Sequence, residues 1–390
     1  MTWILIMLCC FSRQPDIHSM KACTPEPVHK IMAYEDDSDY EDAYDKICEE
    51  LDIEGLDAAI DNVGLGGRLD VSRLIRAISE GDGEYAATYI WEAIRYSLTS
   101  EIIANKGLMI SLISIALIGG LFVNMAGSFG QGFISENGFY VTYLIMTSIM
   151  LTSFSVTLDM VASTIEKLLQ VIRIIVPVYA LAMNYVGNVA TAAGMYQVVL
   201  VAVWIVEYVI LKFILPMIKL YVIITMLNNL NKEDNFSKLC KLIKSIINWL
   251  LKTIVIFVVG LNLIKSLIEP QIDALGRNTV NRIANIIPGG GVMSVLMGTF
   301  LGAGMIIKNS IGVAGIFLIL ILVIAPVMKT LLIMLTVKLT AALIQPIGDK
   351  RYVEGVDSLS KGIGLLLQAV FCSVVLFMLT IAIMAFSGGG

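Results

Sequence analysis

The sequence predicts an all-α protein: a polytopic helical bundle embedded in a membrane, carrying an internal duplication and preceded by a small acidic helical domain outside the cytoplasm. Three observations predict it. Of 390 residues, 57% are hydrophobic and 15% charged, and the mean hydropathy is +0.83, whereas a soluble domain carries about 25% charged residues. Ile311 to Val327 runs 17 residues without a charge. That is close to the minimum for a helix crossing a hydrocarbon core of about 30 Å at about 1.5 Å per residue. Finally, residues 1–106 hold 21 acidic and 9 basic side chains, net −12, and residues 107–390 hold 11 and 18, net +7. An acidic head before a mildly basic membrane body implies two compartments.

Residues 1–22 contain the short apolar run Trp3 to Phe11 with no Lys or Arg before it, and read as a signal peptide or a degenerate apolar segment. Residues 23–50 follow as an acidic disordered linker, with Glu35, Asp36, Asp37, Asp39, Glu41, Asp42, Asp45, Glu49 and Glu50. The spacing of a calcium loop, with its glycine and terminal Glu, is missing. Residues 51–106 turn helical: Val71, Leu74, Ile75 and Ile78 recur at i, i+3, i+4, i+7, with Asp70 placed as an N-cap. Ala86 to Ile103 reads as a longer amphipathic helix, making this a juxtamembrane domain on the bilayer surface.

The membrane domain, 107–390, is read as segments at 107–126, 138–156, 168–187, 197–229, 249–268, 288–307, 311–344 and 362–386. Two of them, 197–229 and 311–344, exceed one span, and each holds a proline followed three residues later by lysine: Pro216/Lys219 and Pro326/Lys329. Four of the six prolines beyond residue 30 form the pairs Pro177/Pro216 and Pro288/Pro326, 39 and 38 residues apart. Ile175-Val176-Pro177 matches Ile286-Ile287-Pro288, which suggests a diverged duplication with approximate repeats 138–230 and 249–345 and a last span at 362–386. Lysines cluster in 230–248 and 345–361 and are missing from 127–137, so the positive-inside rule puts both clusters in the cytoplasm. A parallel repeat with both clusters on one side then needs each long segment to fold back at its proline, or another segment to be re-entrant.

No catalytic constellation is present. The chain has no Walker A loop, no GxSxG and no HExxH, and the glycines 289–291 read as a hinge before a membrane helix instead of a phosphate cradle. Six cysteines without CxxC spacing and only His18 and His29 support neither a metal site nor a disulfide framework. The chemistry-bearing candidates are ionisable groups at membrane depth, foremost Glu207, five residues before Lys212. Such groups are costly in lipid and mark functional sites, buried pairs or snorkelling side chains. Arg173, Lys219, Lys308, Lys329 and Lys338 sit near segment ends, where snorkelling accounts for them.

Several stretches carry a family resemblance: Ser100-Glu101-Ile102-Ile103-Ala104-Asn105; Lys308-Asn309-x-x-Gly312-x-x-Gly315; and Pro326-x-x-Lys329. They continue in Lys338-Leu339-x-Ala341-Ala342-x-x-Gln345-Pro346-x-Gly348 and Asp357-x-x-Ser360-Lys361. Over residues 84–386 the chain resembles the stage III sporulation protein AE family of endospore-forming Firmicutes. The resemblance implies a polytopic component of a secretion-like channel complex joining mother cell and forespore. It further implies the mother-cell-derived outer forespore membrane as location. Its implied partners are the other membrane proteins of the stage III sporulation A operon and ring-forming components. It implies no enzymatic activity, no cofactor and no nucleic acid. The residues that would serve structure and assembly are Pro177, Pro216, Lys219, Pro288, Lys308, Asn309, Gly312, Pro326, Lys329, Lys338, Gln345, Pro346 and Gly348. The alternative reading is a secondary transporter or permease working through Glu207, suggested by the duplication and the broken helices.

Overall fold

The computed structural model describes the backbone of residues 132–185, 189–230, 235–284, 290–346 and 349–386, with scattered helical positions between 107 and 118. Side chains are described over 136–183, 196–230, 235–260, 305–346 and 349–382 and at a few flanking positions. The segments expected at 1–22, 23–50 and 51–106 lie outside the described residues, as do Pro288 and Gly348. Among the described residues there is no strand. The elements are α1 (Gly132–Tyr185), α2 (Val189–Ile205), a π-helical stretch (Val206–Ile214), α3 (Leu215–Leu230), α4 (Ser237–Ala284), α5 (Gly290–Ile344) and α6 (Lys350–Phe386).

Five stretches among the described residues are long and apolar enough to cross a membrane: Glu136–Met183, Tyr196–Leu230, Ser237–Gly260, Met305–Ile344 and Lys350–Ala382. They are fewer and longer than the segments read from hydropathy. The stretches 138–156 and 168–187 are one helix, α1, and 288–307 joins 311–344 in α5. The breaks between them are breaks of polarity only. Asp159, Glu166 and Lys167 in one case, and Lys308, Asn309 and Ser310 in the other, interrupt the apolar run without a glycine or proline that would stop a helix. The 54-residue α1 is about 80 Å long at about 1.5 Å per residue, far more than a bilayer core.

The long segments do not fold back at their prolines. Pro326 lies inside the continuous α5, and Pro177 lies inside α1. Pro216 is the second residue of α3 and follows directly on the π-helical stretch. A proline cannot donate to the carbonyl four residues back and its ring crowds that carbonyl. Lengthening the ladder to i→i+5 relieves both problems, and the Leu215 N–H bonds Ile210 O in that register.

Side-chain contacts fix the directions. Tyr143 on α1 meets Met226 on α3, and farther along Arg173 on α1 meets Glu207, so the α2–α3 segment runs antiparallel to α1. A Cβ on Gly362 would touch Val222 and Phe154, and one on Gly315 would touch Ile175 and Ile381. Hence α6 runs parallel to α1 and antiparallel to α5. Cys240 lies beside Thr225, and Cys372 bonds Leu251 O, which makes α4 parallel to α6. The centre of the bundle is α6, packed on α1, α3, α4 and α5 and burying Tyr352, Val356, Leu359, Ile363, Leu366, Ala369 and Phe377.

Of the lysine clusters expected in loops, Lys238, Lys241 and Lys244 lie on α4 and Lys350 and Lys361 on α6, while Lys232 lies outside the described residues. Ser237 opens α4 and Lys350 opens α6, which leaves short connections at 231–236 and 345–349. On α4, Cys240, Ile243, Ile247, Leu251 and Ile254 are buried while Lys238, Lys241 and Lys244 point outward, so an amphipathic face begins well inside the lysine-rich stretch. Both connections lie at the same end of the bundle, beside the start of α1.

Candidate functional site

That shared end is a polar and aromatic junction of α1, α3 and α6. Asp349 caps α6, its Oδ1 accepting the Arg351 N–H at 2.9 Å and its carbonyl accepting the Tyr352 N–H at 3.0 Å. The cap orients the next turn so that Arg351 lies over the Phe139 ring, 3.4 Å from its centroid, while its guanidinium bonds Asp349 at 3.3 Å. Tyr352 packs edge-on to Phe139 with centroids 5.1 Å apart, and lies 6.1 Å from Tyr143. All three rings are fully buried or nearly so. Buried hydroxyls need partners. Tyr352 finds Thr142, and Tyr143 donates to Met226 O at 2.9 Å.

The junction extends to both chain connections. Asn229 Nδ2 donates to Ser358 Oγ at 3.0 Å, and Ser358 in turn bonds Glu354 O at 2.7 Å. Asn228 Oδ1 accepts the Phe236 N–H at 2.8 Å, closing the turn from α3 to α4. Ser360 donates to Met334 O at 3.3 Å, which ties α6 to α5. Lys361 pairs with Asp357 at 2.7 Å and Lys350 with Glu354 at 3.6 Å, each one helical turn apart. Gly355 lets Tyr143 lie against the α6 backbone, since a Cβ there would stand 3.0 Å from the Tyr143 hydroxyl.

A second feature lies at the opposite end. Arg173 Nη2 donates to Glu207 Oε2 at 2.5 Å, joining α1 to the π-helical stretch, with side chains 49% and 41% exposed. Glu207 therefore pairs across helices with Arg173 and not with Lys212, which points outward. Beside it Trp204 and Tyr208 stack with centroids 5.6 Å apart on an outward face.

The other residues singled out in the sequence are dispersed. Pro177, Pro216, Lys219, Asn309, Lys338, Gln345 and Pro346 are exposed, and Pro326 and Lys329 are half-buried. Lys308 is fully buried and Gly312 is buried within the bundle. The carbonyl of Pro326 accepts the buried Thr330 hydroxyl at 2.8 Å. Sequence reading missed Tyr143, Asn229, Tyr352, Ser358 and Gly362. For all of them but Gly362 the signal was present in the amides and hydroxyls set in apolar helical stretches, groups that a bundle interior accepts only when paired.

A profile of the stage III sporulation protein AE family matches residues 69–388. The chain belongs to the stage III sporulation protein AE family. It is similar to "Stage III sporulation protein AE" of Bacillus subtilis (strain 168), with 21% identity over 310 residues, covering 79% of this chain and 78% of that protein. No solved structure matches the chain. The family match contains both the junction and the Arg173–Glu207 pair. The chain is a multi-pass membrane protein of a sporulation family.

Proposed function

We propose that the chain is a polytopic component of the sporulation-specific, secretion-like channel complex connecting mother cell and forespore, and is needed for forespore development. Family membership carries this reading. The structure supports it with a bundle whose polar side chains serve to lock helices to one another at the junction, the behaviour of a scaffold. Pro177, Pro216, Lys219, Pro288, Lys308, Asn309, Gly312, Pro326, Lys329, Lys338, Gln345, Pro346 and Gly348 then serve packing and assembly, with no catalytic or cofactor role. Partners are the other membrane proteins of the same operon and ring-forming components, in the mother-cell-derived outer forespore membrane. The end that holds the lysine-bearing first turns of α4 and α6 faces the mother-cell cytoplasm.

Glu207 separates this reading from a secondary transporter. An ion-coupled carrier depends on its embedded carboxylate, whereas a half-exposed ion pair contributes about 0–1 kcal/mol. Glu207→Gln is therefore expected to support forespore development at close to the normal frequency. Loss of spores with normal protein levels would favour the transporter. We propose that residues 24–104 lie outside the cytoplasm: with Cys9, Cys10, Cys23 and Cys48 replaced by Ser, Ser38→Cys is expected to react with an impermeant thiol reagent in intact cells. Labelling only after lysis would put that region inside.

A further inference from the structure

The outward face of α1 carries Ser148, Thr152, Asp159, Ser163, Glu166, Gln170 and Arg173, all exposed and spaced by three, four or seven residues. Val156 is the apolar exception. The part of this row from Asp159 to Arg173 extends over about 21 Å at about 1.5 Å per residue, most of a hydrocarbon core of about 30 Å. Among the described residues, Asp159 and Glu166 take part in no ion pair.

Depth follows from the register of the parallel helices. Tyr143 lies level with Tyr352, and Phe154 with Gly362. The uncharged part of α1, 137–158, therefore stands beside the charged start of α6, Lys350 to Lys361. That end is ringed by outward Lys238, Lys241, Lys244, Lys338, Lys350, Glu354 and Lys361, so hydrocarbon does not surround it. The uncharged part of α6, 362–386, stands beside the stretch of α1 that contains Asp159, Glu166 and Arg173. At that depth the outward faces elsewhere are apolar: Leu200, Val201 and Trp204 on α2, Trp249, Ile256 and Phe257 on α4, and Val313 on α5. Thr253, whose hydroxyl bonds Trp249 O, and Lys212, Lys219 and Lys252 are exceptions, and a long lysine stem can carry its ammonium to the interface. The short carboxylate of Asp159 cannot do so.

From this geometry we propose that the polar face of α1 lines a water-filled path at membrane depth. One helix supplies one wall, and neighbouring subunits supply the others. Water along this face explains why Asp159 and Glu166 remain without cationic partners and why the Arg173–Glu207 pair stands half open. The proposal deepens the channel reading and rests on it for its setting.

The test is thiol accessibility in unsealed membranes from sporulating cells, using the full chain with Cys9, Cys10, Cys23 and Cys48 replaced by Ser; Cys240 and Cys372 are buried and stay. A hydrated thiolate attacks the sulfur of a charged methanethiosulfonate, forming a mixed disulfide and releasing methanesulfinate, and a thiol in apolar surroundings does not. Ser163→Cys and Gln170→Cys are expected to react at least about tenfold faster than Val201→Cys and Ile256→Cys, because apolar surroundings suppress the thiolate. Rates at positions 163 and 170 no faster than at 201 and 256 would overturn the proposal, whether lipid or protein covers the face. Slow labelling with partners still co-purifying would sink only this inference. Fast labelling on a chain that purifies alone would sink only the channel reading.

Discussion

Tyr352→Ala is expected to cost the bundle about 3–5 kcal/mol, the range for removing a buried aromatic ring. The ring is fully buried, packs on Phe139 and Tyr143, and its hydroxyl meets Thr142. Its loss leaves a cavity where α1, α3 and α6 converge. Tyr352→Phe keeps the ring and removes one hydrogen bond, a cost of about 1 kcal/mol. Thermal unfolding of the detergent-purified chain separates the two. The Ala variant is expected to unfold well below the Phe variant and to accumulate poorly in cells. Equal midpoints would mean that the junction does not hold the bundle together.

Gly362→Ala is expected to destabilise the packing of α6 on α3 by about 1–3 kcal/mol, the usual cost of overpacking. A Cβ at this position would lie 2.1 Å from Val222 Cγ2 and 3.3 Å from the Phe154 ring. Valine is β-branched and stiff about χ1 in a helix, so it cannot swing aside cheaply. The gain in helix propensity, about 1 kcal/mol for Gly to Ala, offsets part of the loss. Val222→Ala removes the clashing methyl groups, so the double variant Gly362→Ala, Val222→Ala is expected to regain most of the stability that Gly362→Ala loses. Additive losses in the double variant would show that the two helices do not meet there as described.

The class of fold was legible because composition and charge-free run length report directly on lipid. The number of helices was not. Asp159, Glu166 and Lys167 lower local hydropathy without ending a helix, so two apparent spans became the single α1. A fold-back at Pro216 and Pro326 was one of two alternatives the sequence left open, yet one is accommodated by a π-helical turn and the other inside α5. A proline reports a missing donor; it does not report whether the neighbouring ladder can shift. Glu207 was legible as the group of interest, but its partner was not, since Arg173 is 34 residues away. The junction residues were the least visible: a lone Asn229 or Ser358 in apolar sequence reads as noise until the fold brings them to 3.0 Å. The polar row on α1 was readable in principle, because its spacing repeats every three to four residues. Its importance depended on knowing that α6 beside it is uncharged at the same depth.

The proposed role is membership of a multi-component channel in sporulating cells. It is tested most directly by crosslinking the full-length chain in those cells, purifying it from solubilised membranes and identifying what accompanies it. Other polytopic membrane proteins of the same operon are expected together with ring-forming components, in a fixed ratio to this chain. Recovery of the chain alone, or in copies of itself only, from cells that are actively forming spores would contradict it.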